Sequence, residues 1–142
     1  MMERKTELTE LNYVDEADKV IQSLLEKDIN GNYKTDKNGN YVMKLSTSKL
    51  RKLLGMISDI YNEALRNEGK SLEDKLCAKI QYMKMHFIYE AGREAEVKKL
   101  IKRAGIINKI DSIGSDKKKF INFCHYMEAL VAYKKFYAPD KE

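Results

Sequence analysis

Four soft side chains, Cys77, His86, Cys124 and His125, are the residues best suited to hold a transition metal or to act as an activated nucleophile. Their spacing argues against both. Cys77 and His86 are nine residues apart, which at ~100° per residue sends them to opposite faces of a helix. Cys124 and His125 are adjacent and diverge in the same way. Cysteine pairs at zinc-site spacing are absent, so the cysteines read as small buried residues and the histidines as polar or half-buried ones. Asp36, Asn38 and Asn40 alternate as calcium ligands do. Yet Tyr41 stands where an EF-hand turn needs glycine, and Thr47 where it needs a bidentate glutamate. Glu90 and Glu94 lie one helical turn apart, as an acid–base pair would, but Arg93 beside them points to a structural ion pair. No glycine-rich phosphate loop, nucleophile elbow or two-histidine zinc motif occurs. The chain reads as a binder, with no catalytic residue, metal or cofactor.

The elements that must position a binding surface are helices. With 142 residues, 43% hydrophobic, 35% charged and a single proline, the composition suits one helical domain with much surface. Val14, Ala17, Ile21, Leu24 and Leu25 form a stripe at helical spacing, starting after Asn12 with Asp15 as a capping-box analogue. A second helix is expected over 48–67, burying Leu50, Leu53, Leu54, Ile57, Ile60, Tyr61 and Ala64. A third, starting after Ser71 with Asp74 as its capping partner, is expected to reach Ala91. Its apolar residues nearly surround it, which predicts the central, most buried helix, with Gly92 marking a corner. A fourth spans 94–104 and ends at Gly105, a fitting left-handed cap. A short fifth piece covers Ile106 to Ile113, and a last helix runs over 116–137.

Between the first two helices the pattern fails. Asn30-Gly31-Asn32-Tyr33 recurs as Asn38-Gly39-Asn40-Tyr41, and such Asn-Gly pairs favour tight turns. Residues 28–45 therefore form a short hairpin or a mobile loop. The fold class is all-α: a single-domain bundle over 1–142 of about five to six helices with one irregular loop, its ends at 1–11 and 138–142 expected to fray. The early residues are too polar for a signal peptide, and no stretch reaches membrane-spanning length. The expected location is cytoplasmic, with both cysteines as thiols and no membrane partner.

The net charge of +5 is concentrated late: through Gly92 fifteen basic residues balance fifteen acidic ones, and from Arg93 onward twelve face seven. Placement matters more than the total. Cations in a helix's first turn oppose the macrodipole by ~0.3–1 kcal/mol each. The second helix nonetheless opens with Lys49, Arg51 and Lys52, without an acid three or four residues away. The last opens with Lys117, Lys118 and Lys119, with only Asp116 to compensate. Either an external anion such as a phosphate backbone meets these starts, or carboxylates from elsewhere in the bundle do. Lys98, Lys99, Lys102 and Arg103 sit towards a helix C-terminus, where cations are favoured anyway. Tyr126, Tyr133 and Tyr137 share a face with Leu130, as a packing stripe or a stacking platform. Lys134 shares the core stripe of Phe123, Met127 and Leu130, where it snorkels at the helix end or is covered by a partner.

Three ordered segments carry a family resemblance: Leu45-Ser46-Thr47-Ser48-Lys49-Leu50-Arg51-Lys52-Leu53-Leu54, Tyr89-Glu90-Ala91-Gly92-Arg93-Glu94, and Tyr126 to Tyr137. Asn12-Tyr13-Val14-Asp15 is compatible as well. The chain resembles the small subunit of type III-A CRISPR–Cas effector (Csm) complexes over most of its length, residues 30–43 looking like an insertion. The resemblance implies a non-catalytic protein lying along a guide RNA–target RNA duplex, with other complex subunits and copies of itself as partners. It carries contact positions onto Lys49, Arg51, Lys52 and Arg93, whose task would be sequence-independent phosphate contact. Lys117, Lys118 and Lys119 join the candidate set from the dipole argument, and Lys134 and Lys135 from the basic, aromatic end of the last helix. An alternative is a self-associating protein-interaction adaptor without direct RNA binding.

Overall fold

A helix underlies each apolar stripe in the computed structural model, which describes residues 7–140. The elements are α1 (Tyr13–Leu24), α2 (Thr47–Arg66), α3 (Asp74–Arg93), α4 (Ala95–Ala104), α5 (Ile106–Ile113) and α6 (Lys117–Tyr137). Among the described residues β pairing is limited to isolated bridges, two of them within the segment joining α1 to α2. The expected all-α bundle is what forms. Fraying expected at residues 1–6 and 141–142 lies outside the described residues.

The start and stop signals act as their chemistry requires. Ser46 accepts a hydrogen bond from the Lys49 N–H at 3.2 Å and caps α2. Asp116 does the same for Lys119 N–H at 3.1 Å and caps α6. Gly105 adopts φ 62°, ψ 35°, ending α4 and letting α5 start at once. The two expected capping boxes do not form. Asn12 turns its side-chain oxygen back to Thr9 N–H at 2.8 Å, away from α1. α3 starts at Asp74 after Glu73, because Asn67 has claimed the turn: it accepts from Glu73 N–H at 3.0 Å and donates to Ser71 O at 2.9 Å.

The central helix is α6, which corrects the expectation for α3. α6 buries Phe120, Asn122, Phe123, Cys124, Tyr126, Met127, Leu130, Val131 and Lys134, against α1, α2 and α5. Buried side chains occur all round it, as a helix with neighbours on several sides demands. α3 buries only Leu76, Ile80, Met83 and Phe87. Its remaining large apolar residues, Tyr82, Met85, Ile88 and Tyr89, are each more than half exposed. An apolar circumference measures how much surface wants cover, not how much the same chain supplies. The corner also falls later than expected: α3 runs through Gly92, and Glu94 makes the bend with extended backbone, φ −135° and ψ 123°.

Residues 26–42 form two copies of one turn. Asp28 Oδ1 accepts from Asn30 and Asn32 N–H, and Asp36 Oδ1 from Asn38 and Asn40 N–H. Gly31 at φ 84° and Gly39 at φ 82° supply the left-handed residue each copy needs. Tyr41 N–H donates to Tyr137 O at 3.0 Å, pinning the segment to the end of α6.

Candidate nucleic-acid interface

α2 and α3 pack side by side so that the first turn of α2 meets the last turn of α3. There the structure brings together three of the candidate residues. Lys52 lies 3.4 Å from a Glu90 oxygen, and Arg93 Nη1 lies 3.4 Å from that same oxygen. Lys49 pairs with Glu94. The three cations are at least half exposed, whereas the Glu90 side chain is only 13% exposed. Arg93 also stands over the Tyr89 ring, 5.8 Å from its centroid. Arg51 is exposed and forms no ion pair among the described residues. The corner therefore carries three cations against two carboxylates, and Arg51 adds a further exposed cation in the same turn of α2. Most cation donors stay free, since each ammonium has three N–H groups and a guanidinium five.

The start of α6 is built differently. Lys117 is half-buried and its ammonium donates to Asn67 O at the end of α2. Lys118 pairs with Glu10 at 3.2 Å and Lys119 with Glu7 at 3.6 Å, both carboxylates arriving from the segment before α1. The two lysine-rich starts are not one site: the α6 start adjoins the far end of α2, whose 20 residues span ~30 Å.

Lys134 is 1% exposed. Its ammonium donates to Ala138 O and pairs with Asp140 at 3.0 Å. It does not line the surface with Lys135, which is exposed. The chain after α6 doubles back, and a buried ammonium must be hydrogen-bonded and paired wherever it sits. Asp140 also accepts from Thr47 N–H at 3.0 Å and so serves the start of α2. Burial pushes the Asp140 carboxyl upward, but the Thr47 N–H and the Lys134 ammonium outweigh it and hold it below the ordinary aspartate value. Nothing local in the sequence marked Asp140, because its partners are the start of another helix and a lysine one fold-back away. Glu94 was visible, though not as the partner of Lys49.

The remaining candidates settle into the fold. Arg103 donates to Ser23 O at 2.9 Å, closing the C-terminal end of α1, which lacks a basic residue of its own in its last turn. Tyr126 is fully buried and donates to Ala104 O at 3.1 Å, while Tyr133 and Tyr137 stack at 5.9 Å between centroids. That stripe is packing. Cys124 is buried, which pushes its thiol up, away from the reactive thiolate. Cys77 is half-buried, more open than expected. His125 Nε2 lies 3.3 Å from the Tyr61 hydroxyl. Among the described residues no group of three metal-ligating side chains converges, and no helix is long and apolar enough to cross a membrane.

Residues 14–140 match the family model described as Csm2 Type III-A. The chain is 43% identical over 130 residues to the CRISPR system Cms protein Csm2 of Streptococcus thermophilus, spanning 92% of this chain and 94% of that one. With the protein of the same description from Mycobacterium tuberculosis it shares 35% identity over 128 residues, 90% of this chain and 93% of the other. With that of Enterococcus italicus it shares 38% over 95 residues, 66% of this chain and 68% of the other. The chain belongs to the Csm2 family, the small subunit of the type III-A CRISPR effector complex.

Proposed function

We propose that this chain is a non-catalytic, cytoplasmic RNA-binding subunit that lines the guide RNA–target RNA duplex and stabilises it through sequence-independent phosphate contacts. The observation that carries this is the α2–α3 corner, where Lys49, Lys52 and Arg93 from two distant sequence segments share one exposed surface, with Arg51 exposed in the same turn of α2. Such a surface suits a partner whose sequence is read by base pairing and whose backbone is uniformly anionic. Lys118, Lys119 and Lys135 are further, weaker contacts on exposed surface, and Lys117 can add charge but little reach. Surface ion pairs are worth ~0–1 kcal/mol, so a phosphate can displace the carboxylates at either helix start. Other subunits of the complex and further copies of this chain are its protein partners.

The test is titration of the full chain into guide–target RNA held by the remaining subunits, at several salt concentrations. Affinity should fall steeply with salt, and changing Lys49, Arg51 and Lys52 together to Glu should remove it while the helical circular dichroism stays intact. A second reading, a self-associating adaptor without RNA contact, is favoured by the exposed apolar side of α3, Tyr82, Met85, Ile88 and Tyr89. It expects salt-insensitive oligomers and no retention of RNA by the charge-reversed or the unchanged chain.

A further inference from the structure

Glu90 does not resemble a solvated surface residue. Its side chain is 13% exposed and sits between α2 and α3 with a cation on each side, Lys52 and Arg93 both 3.4 Å from Oε2. Two opposite effects follow for a phosphate arriving at this corner. The carboxylate competes with it for the same cations, and it also fixes where those cations are. An exposed lysine or arginine loses rotamer freedom when a ligand immobilises it. A side chain already held in place avoids part of that loss. For Arg93 the holding is two-sided, since Glu90 takes one edge of the guanidinium while the Tyr89 ring lies 5.8 Å beneath it. Only Nη1 is engaged with Glu90, so the half-exposed guanidinium keeps donors that Glu90 does not use, in a set plane.

We infer that Glu90 is a positioning residue of the RNA contact, holding Lys52 and Arg93 at one fixed spacing for neighbouring backbone phosphates, with Glu94 doing the same for Lys49. The inference rests on the RNA-binding reading above and adds the residue that sets its geometry. It carries a counterintuitive sign. Glu90→Gln makes the corner one unit more positive, and plain electrostatics then predicts tighter binding. Loss of positioning predicts weaker binding.

The experiment titrates full-length variants into guide–target RNA held by the other subunits. With Glu90→Gln the affinity should fall ~3–10-fold, and the slope of log affinity against log salt should shrink by ~1 as a phosphate contact is lost. Glu90→Asp should recover part of the loss, and Glu94→Gln should act in the same direction with smaller size. In a Lys52→Ala, Arg93→Ala background Glu90→Gln should have no further effect. Unchanged or tighter binding by Glu90→Gln would overturn the inference. So would an undiminished loss in the doubly substituted background, which would place the effect in the fold. The RNA reading fails separately, if the Lys49, Arg51 and Lys52 reversal leaves binding intact.

Discussion

The starts of α2 and α6 are nearly the same in sequence and differ in what the fold does with them. Each has a capping hydroxyl or carboxylate, no other acid in the first turn, and a run of cations. At α6 the cations pair along the chain's own path: Lys117 ties the α2–α3 turn, and Lys118 and Lys119 reach back to the segment before α1. At α2 the partners are two acids on the end of α3, and these bring Arg93 into the same patch. Cations against a helix dipole therefore do not by themselves announce a ligand. What separates the two ends is whether the compensating acids gather further cations or merely neutralise those present.

That contrast is most directly broken by charge reversal at α2. Lys49→Glu, Arg51→Glu and Lys52→Glu together should lower affinity for duplex RNA at least ~100-fold near 0.1 M salt and cut the salt slope by ~2–3. The melting temperature should move by only a few degrees, since the ion pairs lost have half-exposed cations and are worth ~0–1 kcal/mol each, while carboxylates suit the first turn of a helix. An equally large effect from α6 would erase the distinction. Lys117→Met comes next in size and lies on the other axis. It strips the partner from Asn67 O in a turn already organised by the buried Asn67 side chain. Stability should fall by ~1–2 kcal/mol in urea, with RNA affinity unchanged. Reversing Lys118 and Lys119 to Glu should lower affinity less than ~5-fold, because a 41–70% exposed pair is worth little in either direction.

Helices were legible in the sequence because most of them carry a period of their own: about five to six are expected and six form, with ends displaced by a residue or two. Burial was legible where one face is apolar, and it failed for α3, whose Tyr82, Met85, Ile88 and Tyr89 look like core until the neighbours are counted. The candidate site was half readable. Lys49, Lys52 and Arg93 could be named from the segments they sit in, but their meeting is a property of how α2 and α3 pack. Lys134 shows the converse. Its place on the core stripe was plain, while the fold-back at Ala138 and Asp140 that satisfies it lies in a segment without a period of its own.

How far α2 owes its start to the chain end can be read from the pH dependence of stability. Asp140 is held below its ordinary value of 3.8, so its folded form binds its proton less readily than the unfolded one. The stability it contributes is therefore fully present above that value and disappears as the pH falls through the lowered one. At neutral pH, Asp140→Asn should destabilise the protein by less than ~1 kcal/mol, because the side chain is 41% exposed and solvent screens the pair. The difference from the unchanged protein should shrink below about pH 4 and vanish in stronger acid. Urea unfolding followed across that range would show it. A difference that stayed constant with pH would mean that packing at the fold-back, not the carboxylate's charge, secures the first turn of α2.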